Sequence, residues 1–264
     1  MKLLPNLLIT SLSTFLLFRT AAQQTQMSAS PPQRDPQAAA VLQQSIAAFA
    51  TTSPTDSLAN GTVTLVEGST TQSGTIQILT RGITQTMETL NLPEGQRSVI
   101  YSSGRATEVS GDQTTDPPLE LIVTDQCPDF PLPFLQSALN SSDEALLYIG
   151  QETLNGASVQ HVQVWNTFAS KPRLQKLAPF SARDIWFDTS SGLPLKIAYS
   201  RRAEGGPGVP IIPVEVFFSN YKNVAGVLYP FEINKSYNGT PWQTITIQNV
   251  SFNTGLTDAQ FQVN

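Results

Sequence analysis

Chemistry in this chain has few residues to start from: His161 is the only histidine and Cys127 the only cysteine among 264 residues. Nucleophilic hydrolysis needs a nucleophile, a base and an orienting acid together, and no Gly-x-Ser-x-Gly elbow is present. His161 lies in Ala157-Ser158-Val159-Gln160-His161-Val162-Gln163-Val164-Trp165. That alternation predicts a strand histidine that faces solvent or is hydrogen-bonded locally, not a catalytic base. One histidine and one cysteine do not supply the usual zinc sets, and no EF-hand spacing of acids occurs, so no metal is expected. Cys127 reads as an inert packed thiol. Paired carboxylates need neither residue, which leaves glycosidic hydrolysis as the one enzymatic route the composition allows. Its candidates are Asp125 with Asp129, bracketing Cys127, and Glu152 with Asp188, near turns; neither pair ends a recognisable scaffold. Gly205-Gly206-Pro207-Gly208 is followed by no helix, and its proline removes an amide donor, so a hairpin loop is expected there in place of a phosphate cradle. No catalytic residue and no cofactor are expected.

The first residues indicate where the protein works. Lys2, an apolar run from Leu7 to Phe18, then Arg19, Thr20, Ala21 and Ala22 have the layout of a secretory signal peptide, with the cut placed after Ala22. The run is too short to span a bilayer, which needs about 20 apolar residues, so the processed chain is expected to be soluble. Removing residues 1–22 leaves 242 residues and takes the formal charge from −5 to −7. No cluster of lysines and arginines remains to neutralise a phosphate backbone, which argues against nucleic acid as a partner. A chain of this size buries a sufficient core without disulfide staples. Charged residues are 13% of the chain, and abundant Ser, Thr, Asn and Gln suit an exported β protein.

Residues 23–36 are polar and proline-containing and read as a flexible leader in which nothing packs. Val41, Leu42, Ile46 and Phe49 then fall at helical spacing behind Asp35 as N-cap and Pro36 in the first turn, which predicts a helix over 36–50. After Ser53-Pro54 the chain becomes short alternating segments, at 61–67, 73–80, 83–90, 97–101 and 105–110, punctuated by Gly68, Gly82, Gly95 and Gly104. This is the pattern of antiparallel hairpins. Residues 116–142 read as a proline-rich crossing with a short helix over Phe134–Leu139. A second run of strands follows, and alternation gives it one apolar face: Leu195, Ile197 and Tyr199; Val214, Val216 and Phe218; Val227, Tyr229, Phe231 and Ile233; Ile245 and Ile247. Lys196, Glu215, Glu232, Asn234, Gln243 and Thr246 are assigned to the opposite, wet face. The fold class expected is α+β, mostly β, and the whole of 37–264 is expected to be one domain.

Three motifs in order carry a family resemblance. They are Asp184-Ile185-Trp186-Phe187-Asp188 with Ser191-Gly192-Leu193-Pro194, then Ser219-Asn220-Tyr221-Lys222-Asn223-Val224-Ala225-Gly226-Val227-Leu228-Tyr229-Pro230, then Ile245 to Phe252 closing with Gly255-Leu256-Thr257-Asp258-Ala259-Gln260-Phe261. Over about residues 183–261 the chain resembles the LolA-like family of outer-membrane lipoprotein-sorting and related periplasmic proteins. The resemblance implies a curved, open antiparallel sheet, a half-barrel, with helices over a concave apolar face that receives acyl chains. It places Leu195, Ile197, Tyr199, Val216, Phe218, Tyr229, Phe231, Ile233, Ile245 and Ile247 on the ligand cavity. It also implies a periplasmic, non-catalytic protein that binds lipid or lipidated cargo, with residues 38–49 and 134–139 as lid or packing helices. A filled core would show the same stripe. In that case the chain is expected to be an interaction module for an envelope protein.

Overall fold

The computed structural model describes residues 33–125, 129–202 and 210–263; the expected signal peptide, Cys127 and the Gly205–Gly208 loop lie outside the described residues. Helix α1 (Pro36–Phe49) starts as its sequence dictates. Asp35 caps it by accepting from the backbone N–H of Gln37 at 2.8 Å, and proline occupies the first turn, where it sacrifices no helical bond. Strands β1 (Asp56–Glu67), β2 (Thr70–Arg81), β3 (Gln85–Leu92), β4 (Gly95–Ser102), β5 (Arg105–Ser110) and β6 (Gln113–Thr115) follow as hairpins. Helices α2 (Leu119–Asp125) and α3 (Pro131–Asn140) cross over. The remaining strands are β7 (Glu144–Leu154), β8 (Ala157–Asn166), β9 (Arg183–Asp188), β10 (Pro194–Arg202), β11 (Ile211–Val224), β12 (Val227–Tyr237) and β13 (Thr240–Phe252). A 3₁₀ segment, Pro172–Ser181, separates β8 from β9.

The thirteen strands of the described residues form one antiparallel sheet in the order β6-β5-β4-β3-β2-β1-β13-β12-β11-β10-β9-β8-β7. The sheet is curved and open, with β6 and β7 as its edges. Pairing of β1 with β13 joins the two runs of hairpins. At the β1 bulge between Asn60 and Gly61 a Cβ on residue 61 would come within 2.3 Å of the Thr246 carbonyl oxygen, so only glycine fits there.

The core fills one part of the concave face. Leu42 and Phe49 of α1 and Leu132 and Leu135 of α3 pack onto Val162, Ile185, Ile197, Phe218, Tyr229, Ile233 and Ile245. Phe130 stacks on Tyr229 with ring centroids 4.7 Å apart and meets Phe49 edge-on at 5.9 Å.

Three expectations are corrected here. Residues Gln33 to Asp35 do pack: Arg34 bridges to Leu146, and its guanidinium donates to the carbonyls of Leu139, Ser141 and Glu144, satisfying the C-terminal turn of α3. Gln243 faces the covered side and is 1% exposed; it shares the parity of Ile245 and Ile247. Residues Leu119–Asp125, expected within an irregular crossing, form a helix behind Pro117-Pro118.

Candidate functional site

Beside the filled part of the concave face lies a cavity of about 980 Å³. Strand register explains which residues form its walls. Glu88 of β3 stands opposite Val99 of β4 and Ile78 of β2, and Leu90 opposite Arg97, so these side chains share the concave face. Tyr101 on β4, Leu65 on β1, Val216 on β11 and Trp242 on β13 complete the sheet side. Ile122 and Val123 of α2 and Phe134 of α3 close it from above, and the 3₁₀ segment contributes Leu174. Helix α2 lies against β5, β10 and the 3₁₀ segment. It therefore crosses the open side of the sheet and serves as the roof.

The roof is fastened by charge. Arg183 of β9, 3% exposed, donates to the carbonyls of Val123 and Thr124 at the C-terminus of α2, where the helix dipole favours a cation. Its guanidinium lies 4.6 Å above the Tyr199 ring. Asp125, the last residue of α2, pairs with Arg201 of β10 at 3.0 Å. Burial pushes the Asp125 carboxyl up, against the pull of Arg201 and Arg183.

One end of the cavity is polar. Lys235 Nζ sits 2.8 Å from Asp129 Oδ1 and 3.5 Å from Glu88 Oε2, and Gln243 donates to Glu88 Oε1 at 2.9 Å. Burial and the neighbouring Glu88 charge push Asp129 up to about 7 in spite of Lys235. Burial works to raise Glu88 too, but Lys235 and the donors around it hold that carboxyl below its ordinary range. Burial likewise raises the Tyr101 and Tyr229 hydroxyls.

The ten residues assigned to the cavity from sequence are distributed as follows. Tyr199 and Val216 line it. Ile197, Phe218, Tyr229, Phe231, Ile233, Ile245 and Ile247 are buried in the packed cluster beneath α1 and α3. Leu195 is the extra residue of a bulge, because Pro194 pairs with Phe187 and Lys196 with Trp186; it is half-buried. Sequence reasoning missed the cavity residues of the first hairpins, Ile78, Glu88, Leu90, Val99 and Tyr101. Their common parity was the available signal. The acid pairs separate: Asp125 and Asp129 line the cavity, each paired with a base. Asp188 accepts from Ser190 and Ser191 in the turn before β10. Glu152 binds His161 at 2.7 Å and the Trp186 indole N–H at 2.9 Å. His161 also contacts Asp184 at 2.8 Å and stacks on Trp186, the local bonding its strand position predicted. Among the described residues no three His, Cys, Asp or Glu side chains are grouped to hold a metal, and no helix is long and apolar enough to cross a membrane.

No family model and no curated protein matches the chain in sequence. Solved structures do match in fold. A LolA superfamily protein from Nitrosomonas europaea is 10% identical with a TM-score of 0.56, over 86% of this chain and 97% of that one. An outer-membrane lipoprotein-sorting protein domain, so described putatively, from Vibrio parahaemolyticus is 13% identical with a TM-score of 0.56, over 85% and 96%. A DUF1329 family protein from Desulfovibrio piger is 12% identical with a TM-score of 0.55, over 85% and 97%. The chain has a LolA-like fold.

Proposed function

We propose that this is an exported, non-catalytic binding protein of the cell envelope that holds the acyl chain of a lipid or lipidated cargo in the cavity roofed by α2. The observation that carries the reading is the cavity itself: about 980 Å³ beneath the concave face, walled by Leu65, Ile78, Leu90, Val99, Val216, Ile122 and Phe134. That volume lies at the upper end of ligand pockets. Each methylene moved from water into it contributes about 0.8 kcal/mol, so a chain of about a dozen carbons gains enough to offset the cost of immobilisation. The name of the Vibrio parahaemolyticus relative supports the same class of cargo by analogy of fold.

Native mass spectrometry of residues 23–264, purified without detergent and followed by solvent extraction, tests the proposal. A co-purifying lipid mass, or uptake of added lipid, is the expected result. A bare protein mass that stays bare on challenge with phospholipid and fatty acid would overturn it.

A further inference from the structure

A side chain that lines the cavity and also stands well out in solvent marks its mouth. Ile83 is 53% exposed and Leu119 37%, and both line the cavity. They are far apart in sequence, yet the topology brings them to one corner of it. Ile83 lies in the β2–β3 turn. The Ser103 N–H donates to the Thr84 carbonyl at 3.2 Å, which joins that turn to the β4–β5 turn at Ser103-Gly104. From Gly104 strand β5 runs away and β6 returns beside it, with Thr115 opposite Glu108. The Thr107 hydroxyl donates to Asp116 Oδ1 at 2.8 Å. Pro117-Pro118 therefore carries the chain back toward the Gly104 end of β5, where Leu119 begins α2 and the helix lies against that strand. Gly82, Thr84, Ser103 and Gly104, exposed and lining the same cavity, complete an apolar lip around Ile83 and Leu119. None of the six is charged, and the nearest charges in sequence, Arg81, Arg105 and Glu120, do not line the cavity. Elsewhere the exposed wall includes Glu67, Glu108 and Lys171, and Glu67 is paired with Arg97 at 2.8 Å. A methylene chain passing there would have to strip water from charged groups.

Building on the reading of the cavity as an acyl-chain site, we propose that the lip of Ile83 and Leu119 is the portal through which the chain enters and leaves. Inward from it the wall continues along β2 and β3 to Ile78 and Leu90, beneath Ile122 of the roof, so an entering chain has apolar groups to follow. The two lip side chains cover methylenes still outside and lower the cost of the first step out of water. A portal acts on rates. Entry and release cross the same barrier, so an obstruction at the lip slows both by one factor and leaves their ratio, the affinity, unchanged. A wall residue such as Leu90 changes the affinity itself.

The test mixes the full mature chain with a neutral naphthylamine dye in stopped flow for entry, chases it with excess dodecanol for release, and measures Kd by titration. Ile83→Asp with Leu119→Asp places two carboxylates at the lip that an incoming chain must desolvate. Both rates are expected to fall at least about tenfold, while Kd stays within about threefold of wild type. Ile149→Asp, at an exposed aliphatic residue that does not line the cavity, is expected to leave both rates unchanged. Should the double variant not fold by circular dichroism, Ile83→Asp alone decides, by a fall of at least about threefold in both rates. Unchanged rates in the lip variant, an equal fall in Ile149→Asp, or weaker binding with faster release overturns the portal while leaving the acyl-chain reading standing. If wild type takes up neither the dye nor, by calorimetry, dodecanol or dodecanoate, the acyl-chain reading falls and the portal with it.

Discussion

Replacing Leu90 with tryptophan separates a hollow from a core. Leu90 is half-buried on β3 and faces the cavity, so the larger indole can extend into existing space without displacing packed neighbours. Tryptophan carries about six more heavy atoms than leucine, mostly compact aromatic ones, and should exclude about two methylenes of a bound chain. At about 0.8 kcal/mol each that is about 1.6 kcal/mol, or roughly fifteenfold in affinity. Stability should hardly move. Ile233→Ala is the counterpart: Ile233 is 0% exposed in the packed cluster, and its truncation should cost about 2–5 kcal/mol of stability. Its ligand affinity, measured where the variant is folded, should stay within about threefold of wild type. Dye displacement and thermal melts on the two variants provide the assay. If Leu90→Trp binds as wild type does, or if Ile233→Ala loses affinity as severely, the division of the concave face into filled and hollow parts is wrong.

Three further outcomes are expected. Arg34→Ala removes the donors from the last carbonyls of α3 and should lower stability by about 2–3 kcal/mol, seen as a lower Tm and faster hydrogen exchange over residues 138–144. Gly61→Ala drives a Cβ to 2.3 Å from the Thr246 carbonyl oxygen and should cost about 1–3 kcal/mol by denaturant titration. The third outcome concerns pH. Asp129 is pushed up to about 7, from an ordinary value near 3.8, so between those values the folded state binds the proton more tightly than the unfolded chain. Its contribution is fully present below about pH 4 and lost as pH rises to 7. Glu88, held low, loses its own contribution only below the carboxylate range, outside that window. With Glu88, Lys235 and Tyr229 facing the group unchanged, Asp129→Asn should show a smaller fall in Tm between pH 5 and 8 than wild type does. An equal fall would remove Asp129 as the cause.

What the sequence made legible follows from how local each signal was. The cap at Asp35, the hairpin punctuation and the apolar parity of β10 to β13 are decided within a few residues, and they stand in the structure. Leu195 breaks the parity rule because a bulge adds one residue, and nothing in Pro194-Leu195-Lys196 announces it. Gln243 obeys the rule and was assigned against it on polarity, when its pairing with Glu88 was the reason it could be buried. Helix α2 is only seven residues long, too short for helical periodicity to register, although Pro117-Pro118 before it is a helix-start signal. The roofed cavity was the least legible feature. Ile233 and Leu90 are both aliphatic concave-face residues, and only the position of α1, α3 and α2 above the sheet makes one core and the other wall.

The size of the cavity also constrains how the protein behaves without cargo. Were about 980 Å³ dry, the penalty at about 24 cal/mol per Å³ would be on the order of 20 kcal/mol, more than the whole stability of about 5–15 kcal/mol of a typical domain. Solvent must therefore occupy it when no ligand does, and the charged end around Glu88, Lys235 and Asp129 is where water is held best. A chain entering along Leu65, Ile78 and Leu90 then displaces water that has few hydrogen-bond partners, which favours binding. Displacing water from the charged end costs affinity unless the incoming group replaces its bonds. Ligand that binds only the folded state should raise stability by about 2.7 kcal/mol at a hundred times its Kd, a Tm increase of about 5–10 °C for a domain of this size. The same concentration should shift Leu90→Trp by less than half as much. A Tm increase that is equal in wild type and Leu90→Trp would place the ligand elsewhere on the molecule.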